Sequence, residues 1–403
     1  MATATFVIVG ASLAGAKAAE TLREEGFEGR VVLIGAEPVR PYERPPLSKE
    51  YLRGERADPP FVHGEHYYAE HDIELLLDVT VTRVLPGEQR VQLRDGAEIA
   101  YDALLLTTGA EPRTVPVPGA DLPGVYLLRS LPDSDELRAR LAGGGHAVVV
   151  GAGWIGSEVA ASARQQGLDV TVLEPQAVPL EGALGAELGG YYARLHRAHG
   201  VELRGGEGIA EFRGRERVEA AVSTSGDVIA CDFAVVGVGV RPRDDLAAEA
   251  GLTVGAGLHV DTALRSSAPG IFAAGDVANA ENAFYGRRVR VEHWANALEQ
   301  GPAAARAMLG HDVRWDRLPF FFSDQYESGM EYRGHTPDGY DDIVVRGDLE
   351  SGEFISFWIK DDVVQAAMNV NVWDVGDALE ALIRARRPVD RRALADADTP
   401  LEA

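Results

Sequence analysis

His146-Ala-Val-Val-Val-Gly151-Ala-Gly153-Trp-Ile-Gly156 is an apolar, β-branched run that breaks into a glycine-rich turn. A helical pattern follows to about Gly167, and the apolar stretch Asp169 to Leu173 then ends at Glu174. Strand, tight turn, helix and strand in that order make a βαβ unit. The first glycine allows the bend, the second lets backbone approach a pyrophosphate, and the third lets the helix pack closely on the strand. The helix N-terminus then offers its free N–H groups to phosphate, and the acid after the second strand accepts from a ribose hydroxyl.

The same unit occurs once more, at the N-terminus. Thr5 to Val9 runs into Gly10-Ala-Ser12-Leu13-Ala14-Gly15, a helical pattern carries Ala16, Ala19 and Leu22, and Arg30 to Ile34 is a second strand. Ser12 stands at the second glycine position, where backbone approach is still possible if its φ is negative. The acid near this strand's end is Glu37, because Ala36 occupies the place directly after the glycine. Each unit also has a closing strand and glycine turn: Leu104 to Thr108-Gly109, and Ala234 to Gly239. Two dinucleotide units in one chain imply two dinucleotides that exchange something, and the simplest exchange is a hydride.

Composition narrows the setting. The 403 residues carry 39 Lys and Arg against 63 Asp and Glu, a net charge of −24, with a pI near 4.8. Such a charge argues against nucleic acid and anionic lipid, both of which need a basic face. No apolar run approaches the roughly 20 residues of a membrane span, and the N-terminal run lacks a preceding basic stretch and meets Lys17, Glu20, Arg23 and Glu24 at once. A cytoplasmic protein is expected. One cysteine, Cys231, excludes a disulfide framework, a Cys-rich zinc site and an internal dithiol, and its apolar strand makes it a small buried hydrophobe. The ten histidines show no metal spacing, so no metal site is expected, and His63, His66 and His71 read as surface residues.

Four further stretches point to a family: Pro41-Tyr-Glu-Arg44-Pro-Pro-Leu-Ser-Lys49, Gly270-Ile-Phe-Ala-Ala-Gly275-Asp276, Glu292-His293-Trp294-Ala-Asn-Ala297 and Phe322-Ser-Asp-Gln-Tyr326. With the two βαβ units they resemble the FAD-dependent NADH:ferredoxin reductases of oxygenase and cytochrome P450 systems, the putidaredoxin reductase and biphenyl dioxygenase reductase group. The resemblance covers essentially the whole chain. It implies an α/β fold like that of glutathione reductase, with two Rossmann-like dinucleotide-binding domains plus a C-terminal α+β domain. The FAD domain would span 1–112 and 242–315, the NAD domain 113–241 and the C-terminal interface domain 316–403. From Pro319 the pattern fits that layout, with short strands at Ile343 to Val345, Phe354 to Ile359 and Val363 to Met368, a helix from Val375 to Arg386, and a polar, frayed tail from Leu394.

The resemblance also assigns roles. Lys49 would lie by the flavin and pair with Glu158 in the first helical turn of the second unit; these two are the implied catalytic residues. Lys49 stands out on its own, because 36 of the 39 basic residues are arginine and a compact ammonium fits where a planar guanidinium does not. FAD would be held by Gly10, Ser12, Leu13, Ala14, Gly15, Glu37, Arg44, Val81, Thr108, Gly109, Arg129, Gly275, Asp276, His293 and Trp294. NADH would be held by Gly151, Gly153, Ile155, Gly156, Glu174 and Gly239, with Glu174 repelling the 2′-phosphate of NADPH.

The implied partner is a [2Fe–2S] ferredoxin that feeds an oxygenase or cytochrome P450. Phe322 stands where family members often carry tryptophan, which keeps a rubredoxin open as acceptor. An NADH oxidase or quinone reductase, and a redox-controlled binding protein like apoptosis-inducing factor, are the rival readings. Since such ferredoxins are acidic, an acidic reductase needs a local basic patch to meet them. The clusters available are Arg384, Arg386, Arg387, Arg391 and Arg392, and Arg287, Arg288 and Arg290.

Overall fold

Two five-stranded parallel sheets in this chain share the wiring of four strands, while the fifth, beside the closing strand, comes last in the first sheet and first in the second. The computed structural model describes residues 4–401 and divides into two units. The first comprises the chain up to Glu43, Pro60–Glu111 and Arg241–Pro319, and the second Arg44–Pro59, Pro112–Val240 and everything from Phe320.

In the first unit the strand order is Ile271–Ala273, Ala103–Leu106, Thr5–Val9, Arg30–Ile34 and Ile73–Leu76, all parallel. In the second it is Val125–Tyr126, Phe233–Val236, His146–Val150, Asp169–Glu174 and Glu202–Gly205, again all parallel. Each sheet therefore centres on the strand before its glycine turn, with the βαβ partner on one side and the closing strand on the other. Strand order reverses there, which opens a crevice at the carboxyl end of the central strand. Helices cover such sheets, so Val7, Ile8, Val148 and Val149 are completely buried, which is why both strands read as unbroken apolar runs.

The expected helices form at Leu13–Glu24, Trp154–Gln165 and Trp294–Met308. In the second unit the C-terminal part is a five-stranded antiparallel sheet, ordered Phe320–Gln325, Ser328–Gly334, Val363–Val370, Glu353–Lys360 and Asp342–Asp348. Its apolar face, with Met330, Tyr332, Phe354, Trp358, Met368 and Val370, packs on Leu188, Tyr191, Tyr192 and Leu195 of the Ala186–Ala198 helix. The strand Phe320–Gln325 is not legible from the sequence, because Phe320-Phe-Phe322 does not alternate and Ser323-Asp-Gln325 is polar; its partner Ser328–Gly334 does alternate through Met330-Glu-Tyr332-Arg, yet is not among the expected strands.

The tail departs from expectation too. Arg346 donates to the carbonyls of Asp396 (2.7 Å), Ala397 (2.9 Å) and Thr399 (2.6 Å), and Leu394 is buried. Fixed carbonyls on a guanidinium fork pin this segment rather than leaving it frayed. Glu402 and Ala403 lie outside the described residues.

Candidate functional site

The glycine turns are built alike, and each would be destroyed by a methyl group at its ends. Gly10 sits at φ +120°, and a Cβ there would lie 2.1 Å from the Thr107 carbonyl oxygen; Gly151 sits at φ +94°, with its Cβ 2.5 Å from the Gly237 oxygen. At the third position, a Cβ on Gly15 would lie 2.1 Å from the Gly10 oxygen, and one on Gly156 2.0 Å from the Gly151 oxygen. The middle position differs. Gly153 has φ −71° and nothing within 4 Å of its would-be Cβ, and Ser12 has φ −116°. Ordinary backbone angles there explain why serine is accepted. The open space beside Gly153, in front of a helix N-terminus, is what an incoming pyrophosphate would fill, so the turn fits a dinucleotide.

In the first unit, Leu13, Ala14 and Gly15 open the Leu13–Glu24 helix and are buried. Ala14 is crossed by Gly301, whose added Cβ would come within 2.3 Å of its carbonyl. Glu37 accepts a hydrogen bond from the Tyr42 hydroxyl. Asp276 is buried inside the short helical turn Gly275–Val277, whose Gly275 N–H donates to the Gln300 Oε1 at 2.9 Å. His293 caps the Trp294–Met308 helix, and burial holds its imidazole down at about pH 4 despite the opposing pull of Asp276. Thr108 donates to the Arg243 carbonyl at 2.7 Å, Gly109 has φ +73°, and Val81 opens the half-buried Val81–Leu85 strand. Thr107, Asn296 and Gln300 were not singled out from the sequence. Thr107 donates to the Gly10 carbonyl at 2.8 Å, and Asn296 donates to Gln300, one helical turn away, at 3.3 Å.

In the second unit, Lys49 and Glu158 come together as expected, with Nζ 2.7 Å from Oε2 and side chains only 7% and 3% exposed. Lys49 is placed by the one-turn helix Pro45–Ser48. Ser134 donates to the Leu47 carbonyl at 2.9 Å, and Ser162 to the Ser48 carbonyl at 2.7 Å. Lys49 also donates to the Pro45 carbonyl at 3.3 Å, and the Phe322 ring lies 5.7 Å from Nζ.

Glu158 is not in the first helical turn; that turn holds no acid. Its charge is met instead by Lys49 and by two hydroxyls, Ser48 on Oε2 and Ser323 on Oε1 at 2.7 Å. A buried carboxylate is tolerable only with such a complete set of donors. Ser48 and Ser323 lie in the two motifs that carry Lys49 and Tyr326, but nothing in the sequence marks them as partners of Glu158.

Arg44 donates to the Arg129 carbonyl, so these two residues are also brought together. Ile155 is 44% exposed at the helix start, and Gly239 has φ +93° with open space around it.

Glu174 has a use the sequence did not reveal. Its Oε2 accepts from the Ala152 N–H at 2.6 Å and its Oε1 from the Gln176 N–H at 2.9 Å. The carboxylate thus ties the second strand to the glycine turn, with lone pairs left for a ribose. Cys231 is buried, and burial pushes its thiol up to about 11.

Much of both arginine clusters is committed. Arg391 pairs with Asp342 (3.0 Å) and Asp362 (2.9 Å), Arg384 with Glu380 (2.7 Å), Arg290 with Glu292, and Arg288 donates to the Val260 carbonyl at 2.6 Å. Arg387 and Arg392 are exposed. His66 and His71 are exposed as expected and His63 is half-buried; His63 and His71 stack on Tyr67 at 3.7 and 4.1 Å. Among the described residues there is no metal-binding group of three or more His, Cys, Asp or Glu, and no helix long and apolar enough to cross a membrane.

The chain is similar to known proteins over nearly its whole length. A family model described as pyridine nucleotide-disulphide oxidoreductase matches residues 4–301, and one described as reductase C-terminal matches residues 320–403. The chain is 39% identical to rhodocoxin reductase of Rhodococcus erythropolis, over 99% of this chain and 93% of that one. It is 36% identical to putidaredoxin reductase of Pseudomonas putida, over 98% and 95%. Among solved structures, the ferredoxin reductase for the CYP199A2 system from Rhodopseudomonas palustris superposes with a TM-score of 0.94 at 35% identity, covering 98% of each chain. The covalent putidaredoxin reductase–putidaredoxin complex gives 0.94 at 36% identity, covering 100% of this chain and 98% of that one.

Proposed function

This chain belongs to the pyridine nucleotide-disulphide oxidoreductase family, and from that premise we propose that it is an FAD-dependent NADH:ferredoxin oxidoreductase. It passes a hydride from NADH to FAD and then single electrons to a [2Fe–2S] ferredoxin that serves an oxygenase or cytochrome P450. The observation that carries this reading is the pair of alike glycine turns combined with a buried Lys49–Glu158 pair and no dithiol. When bound, FAD supplies acceptance of two electrons and their release one at a time.

The chain's own residues do the rest. Gly10, Ser12 and Gly15 open the first turn to a pyrophosphate, with Glu37 and Asp276 for hydroxyl groups of FAD and Arg44, Arg129, Val81, Thr108, Gly109, His293 and Trp294 around it. Gly151, Gly153, Ile155 and Gly156 belong to the NADH turn and Gly239 to the loop after the closing strand Phe233–Val236, and Glu174 both braces the turn and disfavours a 2′-phosphate. Lys49 keeps a positive charge fixed where negative charge arrives, and Glu158 keeps Lys49 oriented. We assign FAD binding to 1–112 and 242–315, NADH binding to 113–241 and partner docking to 316–403. The cytoplasm is the compartment that a lone, buried cysteine supports.

The reading is tested by NADH-dependent cytochrome c reduction with and without an added [2Fe–2S] ferredoxin. Rapid reduction only with ferredoxin is expected. Equal turnover on oxygen or quinone without it overturns the assignment, and preference for a rubredoxin would trace to Phe322. Charge reversal at Arg387 and Arg392 should slow ferredoxin reduction more than dye reduction, in a salt-dependent way.

A further inference from the structure

Glu158 stands at the inner end of a row of hydrogen bonds that runs outward through the second unit. Ser323 Oγ lies 2.7 Å from Glu158 Oε1, Gln325 Nε2 lies 3.2 Å from Ser323 Oγ, and His196 Nε2 lies 2.9 Å from Gln325 Oε1. The Tyr326 hydroxyl lies 3.4 Å from His196 Nδ1. Ser323, Gln325 and His196 are 1%, 1% and 2% exposed.

The chemistry of the groups fixes the direction of every bond. A carboxylate paired with Lys49 only accepts, so Ser323 spends its single proton on Glu158. The Ser323 oxygen then accepts from the Gln325 amide nitrogen, which turns the amide oxygen toward His196. His196 must therefore carry its proton on Nε2, and its Nδ1 lone pair accepts from Tyr326. Reversing any one link sets two donors or two acceptors face to face. Burial agrees, holding His196 neutral by lowering its pKa to about 4.

We propose that Ser323, Gln325 and His196 are positioning residues, a one-way hydrogen-bond row that locks the Glu158 carboxylate so that its other oxygen stays on Lys49. The outer end is anchored by an unusual backbone. Tyr326 has φ +57°, a left-handed angle that a bulky residue rarely adopts. Its ring is clamped by His199, stacked at 3.7 Å, which itself pairs with Glu327 at 3.1 Å. The two-residue loop between the paired Gln325 and Ser328 requires such an angle at its first position, which fixes where the Tyr326 ring points. The groups facing His196 are thus Gln325 and Tyr326 from the hairpin and His199 from its own helix. A proton wire is not implied, because an amide does not pass a proton along.

The inference rests on the proposed function for its effect on rate, but not for its structure. The first measurement is ¹⁵N NMR of the His196 imidazole in the FAD-loaded wild-type protein. The expected result is the Nε2–H tautomer with no titration from pH 5 to 8; an Nδ1–H tautomer, or titration in that range, overturns the row. The second is stopped-flow flavin reduction by NADH with no ferredoxin present. Gln325→Leu and Ser323→Ala should slow it about tenfold, with the KM for NADH changed less than twofold, and Ser323→Thr should restore it. Full rate in Ser323→Ala overturns the positioning role. Absence of any flavin reduction in the wild type would sink the functional reading instead, while the tautomer still decides the row.

Discussion

Lys49 Nζ and Glu158 Oε2 meet 2.7 Å apart although 109 residues separate them in the chain. Both side chains are shielded from water, so neither charge can be left alone cheaply. Lys49→Met should cost about 3–5 kcal/mol, the usual penalty for stranding one partner of a buried pair. The double variant Lys49→Met/Glu158→Leu should cost clearly less than the two single changes summed. Urea unfolding of the four proteins measures this; strict additivity would mean that the pair is not coupled.

The glycine turns separate folding from binding. Gly156→Ala should unfold or badly destabilise the second unit, because the new Cβ would lie 2.0 Å from the Gly151 oxygen. Gly153→Ala meets nothing and keeps an allowed φ, so it should cost less than about 1 kcal/mol. Its KM for NADH should nevertheless rise at least tenfold, since the methyl enters the phosphate space. A normal KM in Gly153→Ala would place the dinucleotide elsewhere.

Glu174 has two jobs, and a conservative change divides them. Glu174→Gln keeps one acceptor for the Ala152 or Gln176 N–H but removes the charge. Steady-state kinetics with NADH and NADPH should show the preference for NADH narrowed, with the melting temperature lowered by a few degrees because the new NH2 faces one of the two backbone N–H groups. Glu174→Arg should lose the turn itself, so a fall in NADH binding there reports folding as well as selectivity.

Burial of neutral His196 makes stability depend on pH. Its folded pKa is about 4 against an unfolded value of 6.5, so the unfolded chain takes up the proton first as pH falls. The stability it contributes is present above pH 6.5 and is lost between there and about pH 4, by about 3 kcal/mol. His196→Gln should flatten that part of the unfolding profile. Parallel curves for the two proteins between pH 7 and 4 would refute the assignment.

How far the sequence reaches can be judged residue by residue. The two βαβ units, the long helix after His293 and the partnership of Lys49 with Glu158 were legible, through spacing, apolar runs and motif likeness. The Phe320–Gln325 strand was hidden, because three phenylalanines and a polar triplet carry no period of two. The tail was misjudged for a related reason: backbone carbonyls that meet Arg346 leave no trace in side-chain pattern. Glu158 lies one turn further along its helix than the sequence suggests, and its hydroxyl partners Ser48 and Ser323 carry no local signal.

The sequence by itself determined that two parallel sheets form around glycine turns, because local steric rules and hydrophobic periodicity act over a few residues. It also determined that the chain holds no internal dithiol, since one cysteine cannot make one. Only the tertiary structure decided what surrounds Glu158. Ser48, Ser323, Gln325 and His196 come from distant stretches of chain, and the antiparallel sheet must pack on the Ala186–Ala198 helix before they meet. Hydrogen-bond direction, tautomer and burial are properties of that meeting, and no local pattern encodes them.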